Sequence, residues 1–499
     1  MGDQWYGAKC GNDRPLVRHN LIKRIGDYKM SVLLSKNTDI VYTADGVANT
    51  ISVAKSVKAA RQKMAAGESA QYNDRETEIA TVMSALNDYQ RATAERLKLN
   101  SLCERVLRDA YISGTGVIYT YWEAGESTGL YADKLNSTAI KGDIKSEIID
   151  IENVYFGDPS ITDIQQQPYI ILVSVRNLDE IRRYAERFGA SATTLHDIKS
   201  DGARNENTVT VFTKLQREWD EESGDYKIYA KMVTERATVR DKWDIGVRLY
   251  PLSVFCWEPR KNCAYGDSEI TYLIPNQIAV NRMITAGVWS AMSTGMPTLV
   301  VNGDVVDGEI TNDPGQIIKV FGTGEEIANA LKYVCPPDYS GNIQSVVSPL
   351  IENTLAQSGA NPAALGDVDP TNTSAIIALR NAAFMPLKML QNRFHGFLEE
   401  ISRIWAEFWI TQYGNRRLKI TDEHGTWYMD FDGEKYRDLV VRATAYVSAE
   451  DEYDSSLRVE VLERLLSRGD ITPEQYLKRL PRGLVSDTDE LIREMRGEA

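Results

Sequence analysis

Histidine and cysteine, the residues that build most metal sites and many nucleophilic active sites, are scarce in this sequence. The 499 residues include four histidines, far apart along the chain, and five cysteines. No two cysteines have the spacing of a zinc site, since even Cys256 and Cys263 are too far apart for a zinc knuckle. The sequence therefore predicts no metal centre and no cofactor, and it predicts free, buried thiols of a protein made in a reducing compartment.

Long hydrophobic runs are also lacking. The longest stretch without a charged residue, 283–303, contains serine, threonine, glycine and Pro297. Such a stretch is too polar and too interrupted to cross a membrane, and a helix packed against protein explains it better. Residues 1–15 contain no apolar run, so we expect no secretory signal and no membrane partner.

Signatures of nucleotide binding are missing where glycines would suggest them. The segment GTGVIY, 114–119, leads into a strand, which is the wrong element for a phosphate-binding helix terminus. The segment GTGEE, 322–326, lacks the lysine of a P-loop and presents Glu325 and Glu326 where a phosphate requires donors. No HExxH motif and no local Cys–His signature occurs. We therefore expect a protein that is not an enzyme.

The hydrophobic periods predict an α+β fold in which a β-rich module follows N-terminal helices. Helical spacing covers 15–33 and 76–113, and strand-like runs recur from 117 to 257. Within the β-rich module, Asn177 and Glu180 form a capping pattern for one helix, and the segment DEESGDY is typical of a hairpin turn.

After Gly266 the chain is predicted to become helical again. This helix carries Gln277 and Asn281 on its apolar stripe, where both side chains are expected to be hydrogen-bonded, and Pro275 is expected to break or kink it. A compact insertion with short strands and one short helix follows at 297–338. A second helix, a small polar loop and a long helix then lead to the C-terminal helices, at about 340–359, 360–372, 373–412 with a bend at Pro386, 455–467, 472–480 and 486–496.

Charge is distributed unevenly along the chain. The formal net charge is −14, and residues 266–372 alone, with three basic and twelve acidic residues, carry −9. Residues 1–120 carry +4, from 17 basic and 13 acidic residues. The acidic region can be ordinary surface acidity, or it can be a surface that must not hold polyanions or that docks a basic partner.

The order of these elements resembles the portal protein of tailed bacteriophages, the ring at one vertex of the capsid. GTGVIYTYW after a long helix is similar to the passage from wing helices into wing strands, and YGDSEITYLIPNQIAVNRM is similar to the entry into the first stem helix. SGANPAALGDVDPTNTSA is similar to the tunnel loop. The resemblance implies an elongated subunit with a wing at 1–265, stem helices at 266–296 and 339–359, a clip at 297–338, a tunnel loop at 360–372, a long wing helix with a hairpin at 373–447 and a helical crown at 448–499.

The resemblance also implies a function and a set of partners. Copies of the chain would form a homo-oligomeric ring, a dodecamer by resemblance, through which double-stranded DNA passes during packaging and ejection. The ring would nucleate the procapsid with the major capsid and scaffolding proteins, dock the terminase large subunit, and later seat neck or tail adaptor proteins. The protein would then lie in the virion at the capsid vertex, and in the host cytoplasm during assembly.

Three sets of residues are candidates for these roles. The tunnel loop is small, polar and free of Lys, Arg and aromatic residues, so it would not hold a passing duplex. Its candidates are Asn361, Ala363, Ala364, Asp367, Asp369, Thr371 and Asn372. The clip offers a docking surface of Asp304, Asp307, Glu309, Asn312, Glu325 and Glu326, and these residues can equally be ordinary solvated loops. The subunit interface is assigned to Ile274, Ile278, Ile284 and Val288, for which a place in the intrachain core is the alternative.

Two other functions remain open from the sequence. One is another phage neck or coat protein, for which deletion of 297–338 would leave assembly unaffected. The other is an unrecognised hydrolase, for which ATP turnover that depends on residues near 322–326 would be the sign.

Overall fold

The computed structural model describes residues 16–35, 38–44, 57, 75–131, 139–202, 205–221, 224–295, 298–307, 310, 317, 319–334, 340–360, 385–422, 425–437, 441–447, 452–477 and 479–480. It confirms the predicted α+β class, because long helices alternate with several small antiparallel sheets. The chain divides into two compact units. The smaller unit combines Met1–Tyr28 with Ile270–Met385, and the larger unit combines Lys29–Glu269 with Pro386–Ala499.

The helices of the described residues occupy both units. They are α1 Leu21–Ser35, α2 Arg75–Arg96, α3 Leu99–Ser113, α4 Leu178–Arg187, α5 Ala192–Asp197, α6 Glu269–Gly295, α7 Gly324–Ala328, α8 Ser340–Gln357, α9 Lys388–Gln412, α10 Glu452–Ser467 and α11 Pro473–Leu477. None of the helices in the described part of the chain is both long and apolar enough to cross a membrane.

The strands form small antiparallel sheets. They are β1 Thr38–Ala44, β2 Thr115–Tyr131, β3 Ala139–Ile149, β4 Val154–Phe156, β5 Tyr169–Asn177, β6 Thr208–Asp220, β7 Asp225–Thr234, β8 Thr238–Asp244, β9 Leu252–Cys256, β10 Glu258–Pro259, β11 Gly266–Asp267, β12 Thr298–Val301, β13 Val306–Asp307, β14 Lys319–Val320, β15 Leu331–Val334, β16 Asn415–Asp422, β17 Gly425–Asp432 and β18 Val441–Val447. The two largest sheets have the orders β4-β5-β6-β7-β8 and β3-β2-β9.

The five-stranded sheet buries one face. Alternate residues of β6, such as Val211 and Leu215, point to the covered side because side chains along a strand alternate between faces. Helices α4 and α5 cover one end of this face, and residues of β2 and β9 cover the other. The Asn177 side chain caps α4 by accepting from the Asp179 N–H, and β6 and β7 form the hairpin around residues 221–224, so both sequence predictions are confirmed.

The passage from α3 into β2 depends on two facing glycines. Gly114 ends α3 with φ +89°, in the left-handed region that favours glycine. A Cβ on Gly114 would overlap the backbone of Gly266, and a Cβ on Gly266 would overlap the Gly114 carbonyl oxygen. The predicted turn from helix into strand at 114–122 is confirmed, and no side chain fits at its centre.

Helix α9 is the main apolar element of the larger unit. Phe394 and Phe397 lie against Phe255, with ring-centroid distances of 6.1 and 5.7 Å, and Trp405 and Trp409 are fully buried. A helix this apolar on most sides is stabilised by burial rather than by its own hydrogen bonds. Helix α9 contacts strands β9 and β18.

In the smaller unit, α6 and α8 pack antiparallel against the N-terminal segment. Two buried clusters join these elements, one of Leu21, Val280 and Val347 and one of Ile25, Leu273 and Leu355. The two predicted polar residues of α6 lie at this contact, since Gln277 is 4% exposed and Asn281 is 2% exposed.

Both polar residues are hydrogen-bonded, as predicted. The Gln277 Oε1 atom accepts from the Leu21 N–H at 2.9 Å and from the Ile22 N–H at 3.3 Å, and Asn281 Oδ1 accepts from the His19 N–H at 2.9 Å. The Gln277 amide donates to Asn281 Oδ1 and to the His19 carbonyl. Gln277 therefore supplies acceptors for the first N–H groups of α1, which no residue within that helix can provide.

Several predicted boundaries differ from those of the structure. Helix α1 begins at Leu21 rather than at residue 15, and the predicted helix 76–113 is interrupted at 97–98, where Lys98 adopts φ +53°. Helix α6 continues through Pro275 without a break, and α8 contains Pro349. The predictions for 373–384 and 486–496 lie outside the described residues.

Candidate subunit-contact and docking surfaces

Helix α6 carries apolar residues on a buried face and on an adjoining exposed face. One face packs within the smaller unit through Leu273, Gln277 and Val280. The other face leaves Ile274 43% exposed and Ile278 41% exposed. A helix that is apolar all round is normally buried on all sides, so the outer face of α6 has the character of a contact surface.

The four residues predicted for the subunit interface do not lie on one face. Ile274, Ile278 and Val288 are exposed in the single chain. Ile284 instead packs against the cluster of Leu21, Val280 and Val347. Ile284 therefore lies in the intrachain core, which was the alternative for these candidates. Trp289 and Met292 extend the exposed face and were not among the candidates.

The insertion between α6 and α8 contains two short hairpins and α7. Strand β12 pairs with β15, and β13 pairs with β14. The predicted strands at 298–302 and 332–335 and the predicted helix at 325–331 correspond to β12, β15 and α7, and the described residues of the strand predicted at 316–321 include β14. Large side chains at Ile317 and Phe321 are mostly exposed, at 88% and 62%.

The acidic candidates of this insertion lie on its surface where the structure describes them. Asp304, Asp307, Glu325 and Glu326 are exposed, whereas Glu309 and Asn312 lie outside the described residues. Glu326 also has a structural role, because its carboxylate accepts from the Thr323 N–H at 2.8 Å and from the Thr323 hydroxyl at 3.0 Å. These bonds, that of the backbone above all, lower the pKa of Glu326.

The capping arrangement also explains the GTGEE segment. The segment leads into the five-residue helix α7, and the chain's own Glu326 accepts from the N–H of Thr323, the residue just before this helix. The segment is a helix start with a negative side chain at the position where a phosphate would bind, in agreement with the sequence-based exclusion of a P-loop. The seven tunnel-loop candidates, which follow α8, lie outside the described residues.

The larger unit contains a polar cleft of about 810 Å³ beside α9. Most of its charged side chains are already paired, since Arg248 binds Glu407 with a nitrogen–oxygen distance of 2.9 Å and Glu399 accepts from the Ala445 N–H at 2.8 Å. Glu400, the next residue along α9, also lines the cleft and accepts from the Gln165 amide.

Glu400 is the titratable group of this cleft that stands out. Burial raises the pKa of the Glu400 carboxyl to about 7. The hydrogen bond from Gln165 and the charge of Arg403 lower this pKa, but their effect is smaller than that of burial. Its half-buried position results from the packing of α9 against distant segments, so no local pattern could have predicted it. A carboxyl that titrates near neutral pH can act in acid–base chemistry, and among the described residues no cluster of His, Cys, Asp and Glu could hold a metal ion.

No G-x-S-x-G nucleophile elbow is expected from the sequence, but one segment does match that pattern. The segment GESTG, 125–129, matches the G-x-S-x-G nucleophile pattern. In a nucleophile elbow the serine lies at a sharp turn from strand to helix. Ser127 lies within β2, opposite Lys141 of β3, so the backbone of this segment does not have that form.

Comparisons with known proteins add no relative to this description. No protein-family model matches the chain, and no curated protein matches it.

Proposed function

We propose that this protein is the subunit of a phage portal ring, a non-enzymatic conduit for double-stranded DNA. The observation that carries the proposal is α6, which packs within its own unit on one face and leaves a second apolar face uncovered. A compact acidic insertion then separates α6 from its antiparallel partner α8. This arrangement is similar to the stem and clip of portal subunits.

Charge supports the same proposal. The described charged residues on the insertion include exposed carboxylates at Asp304, Asp307 and Glu325, and the whole region 266–372 carries −9. Tight binding to DNA depends on Lys and Arg against phosphates, so an acidic surface binds the duplex weakly at every point. A conduit needs this property, because a deep binding well would stop the moving duplex.

The partners follow from the proposed role. The ring would nucleate the procapsid with scaffolding and major capsid proteins at the capsid vertex, and the clip would dock the terminase large subunit and then neck or tail adaptors. The terminase would supply the energy of translocation, so the portal subunit needs no nucleotide site or cofactor of its own.

Negative-stain microscopy and mass photometry of the purified full chain test this proposal. We expect rings with a central hole and particle masses that are multiples of 56.0 kDa. The double variant Ile274→Asp, Ile278→Asp should lower the fraction of rings at least tenfold, since it places two charges in the apolar contact.

Tyr155→Asp is the matched control, because Tyr155 is a large side chain that is 53% exposed on the larger unit. Its rings should persist. A wild-type chain that stays monomeric at every concentration, or that assembles equally well with both isoleucines replaced, would refute the proposal.

A further inference from the structure

We propose that the outer face of α6 in one copy packs on the outer face of α8 in the next copy, with Arg282 of the first paired to Glu352 of the second. This inference rests on the ring proposed above and specifies its contact. Arg282 is the only basic residue of α6, and Glu352 is the only acidic residue of α8. Both side chains are exposed, and neither forms an ion pair in the part of the chain that the structure describes.

Arg282 lies in the middle of the exposed stripe of α6. Residues 274, 278, 282, 286 and 289 follow helical spacing along one face, and all are exposed. A lone cation in an apolar contact is costly unless an anion meets it. The partner surface therefore has to present one carboxylate amid small or apolar side chains.

Pairing of α6 with itself does not meet this requirement. In a two-fold antiparallel pair the residues at the centre of the stripe face their own copies, which would place one Arg282 against the other. Like charges in a desolvated contact repel each other. The contact is therefore heterologous, between two different faces of the chain, and a heterologous contact gives a ring when the rotation between copies closes.

The outer face of α8 has the required composition. Val347 and Leu355 point into the unit, and the opposite face exposes Val346, Pro349, Glu352 and Ala356. Its side chains are small or weakly polar apart from Glu352. A face of this kind permits close approach of a neighbouring helix.

The two charges also lie at nearly the same height. Within one chain Asn276 donates to Thr354 at 3.1 Å, and Ile343 lies 3.4 Å from the place of a Gly287 Cβ, so α6 and α8 run antiparallel in a fixed register. In this register Glu352 is level with about residue 278, roughly one helical turn or 6 Å from Arg282. In a ring whose rotation axis runs along the helices, neighbouring copies lie at the same height. The long side chains of Arg282 and Glu352 can then span the offset of about 6 Å between them.

Charge reversal tests the pair. Arg282→Glu and Glu352→Arg should each weaken assembly of the full chain about tenfold or more in a dilution series followed by mass photometry. The double reversal Arg282→Glu, Glu352→Arg should return assembly to within about threefold of wild type, because the pair is restored with exchanged ends. Lys199→Glu and Glu235→Arg, exposed reversals on the larger unit, are the matched controls and should assemble as wild type does.

Disulfide trapping distinguishes the arrangement of the helices. Chains with Arg282→Cys mixed with chains with Glu352→Cys should form cross-linked dimers above the wild-type background, and neither variant alone should do so. Dimers of Arg282→Cys alone would overturn the inference in favour of self-pairing. Rings that form equally with every reversal would overturn the inference and leave the proposed function standing, whereas a monomeric wild type would refute the proposed function itself.

Discussion

At the scale of single residues, the environment of Glu400 is set by parts of the chain that are far apart. The carboxyl lies in the cleft beside Gln165, Arg403 and β18, and burial raises its pKa to about 7. An acid whose pKa is higher in the folded state binds more protons when folded than when unfolded. Its contribution to stability therefore falls as the pH rises from the unfolded pKa near 4.5 to the folded pKa near 7.

Glu400→Gln should remove this pH dependence. Relative to wild type, the variant should gain roughly 2 kcal/mol of unfolding free energy between pH 5 and pH 8, a value that allows for the partial exposure of the side chain. Urea unfolding at the two pH values measures the difference. Glu326→Gln is the control, because the lowered pKa of Glu326 places its titration below this window. Equal pH dependence in wild type and Glu400→Gln would contradict the prediction.

The sequence predicted some of these residues and missed others for a physical reason. Gln277 and Asn281 were predictable because a polar side chain on an apolar helical stripe must find a partner, and the structure supplies it. The residues near Glu400 in the sequence give no sign of its contact with Gln165, because Gln165 reaches it only in the folded chain. Local patterns indicate where a partner is needed, whereas burial by remote segments is a property of the fold.

At the scale of elements, α1 depends on α6 for its N-terminus. The acceptors of Gln277 and Asn281 bind backbone N–H groups at the start of α1. Hydrophobic packing of Leu21 and Ile25 then holds the helix in place.

Gln277→Leu should destabilise this contact by about 1 to 3 kcal/mol, because the N–H groups of Leu21 and Ile22 lose the acceptor that Gln277 provides. The midpoint of urea unfolding, together with hydrogen exchange at Leu21 and Ile22, measures the effect. Gln357→Leu changes an exposed glutamine of α8 in the same way and should shift stability by no more than about 0.5 kcal/mol. Unchanged exchange at Leu21 and Ile22 in Gln277→Leu would contradict the prediction.

Elements with clear start and stop signals were predicted well. Asn177 marks the start of α4, and Gly114 marks the end of α3. Pro275 misled the prediction, because it lies in the second turn of α6, where a helix loses one hydrogen bond at proline and can still continue. The helix interruption at Lys98 could not be predicted, because a lysine with positive φ is uncommon and no sequence pattern marks it.

At the scale of the whole molecule, the acidic insertion and the positive N-terminal region give the chain two electrostatic parts. If the ring forms as proposed, the carboxylates of every copy are repeated around one axis. The potential near the clip is then a property of the assembly rather than of the chain.

A triple variant should bind a short DNA duplex more tightly when assembled as a ring; its substitutions are Asp304→Lys, Asp307→Lys and Glu325→Lys. We expect the affinity to rise at least tenfold at physiological salt and to fall more steeply as salt increases. Glu326 is left unchanged because it caps α7. Reversal of Asp197, Glu206 and Glu235 to lysine, which alters the net charge equally on the larger unit, should change binding by less than about threefold. Equal gains from both triple variants would contradict the prediction.

The capping of α1 by Gln277 has a consequence for synthesis on the ribosome. The Gln277 acceptor of the Leu21 N–H lies 256 residues further along the chain and is therefore made later. At translation rates of 5 to 20 residues per second, this delay is roughly 10 to 50 seconds. During that interval the larger unit is only partly translated, and water supplies the hydrogen bonds of the N–H groups at the start of α1 until α6 emerges.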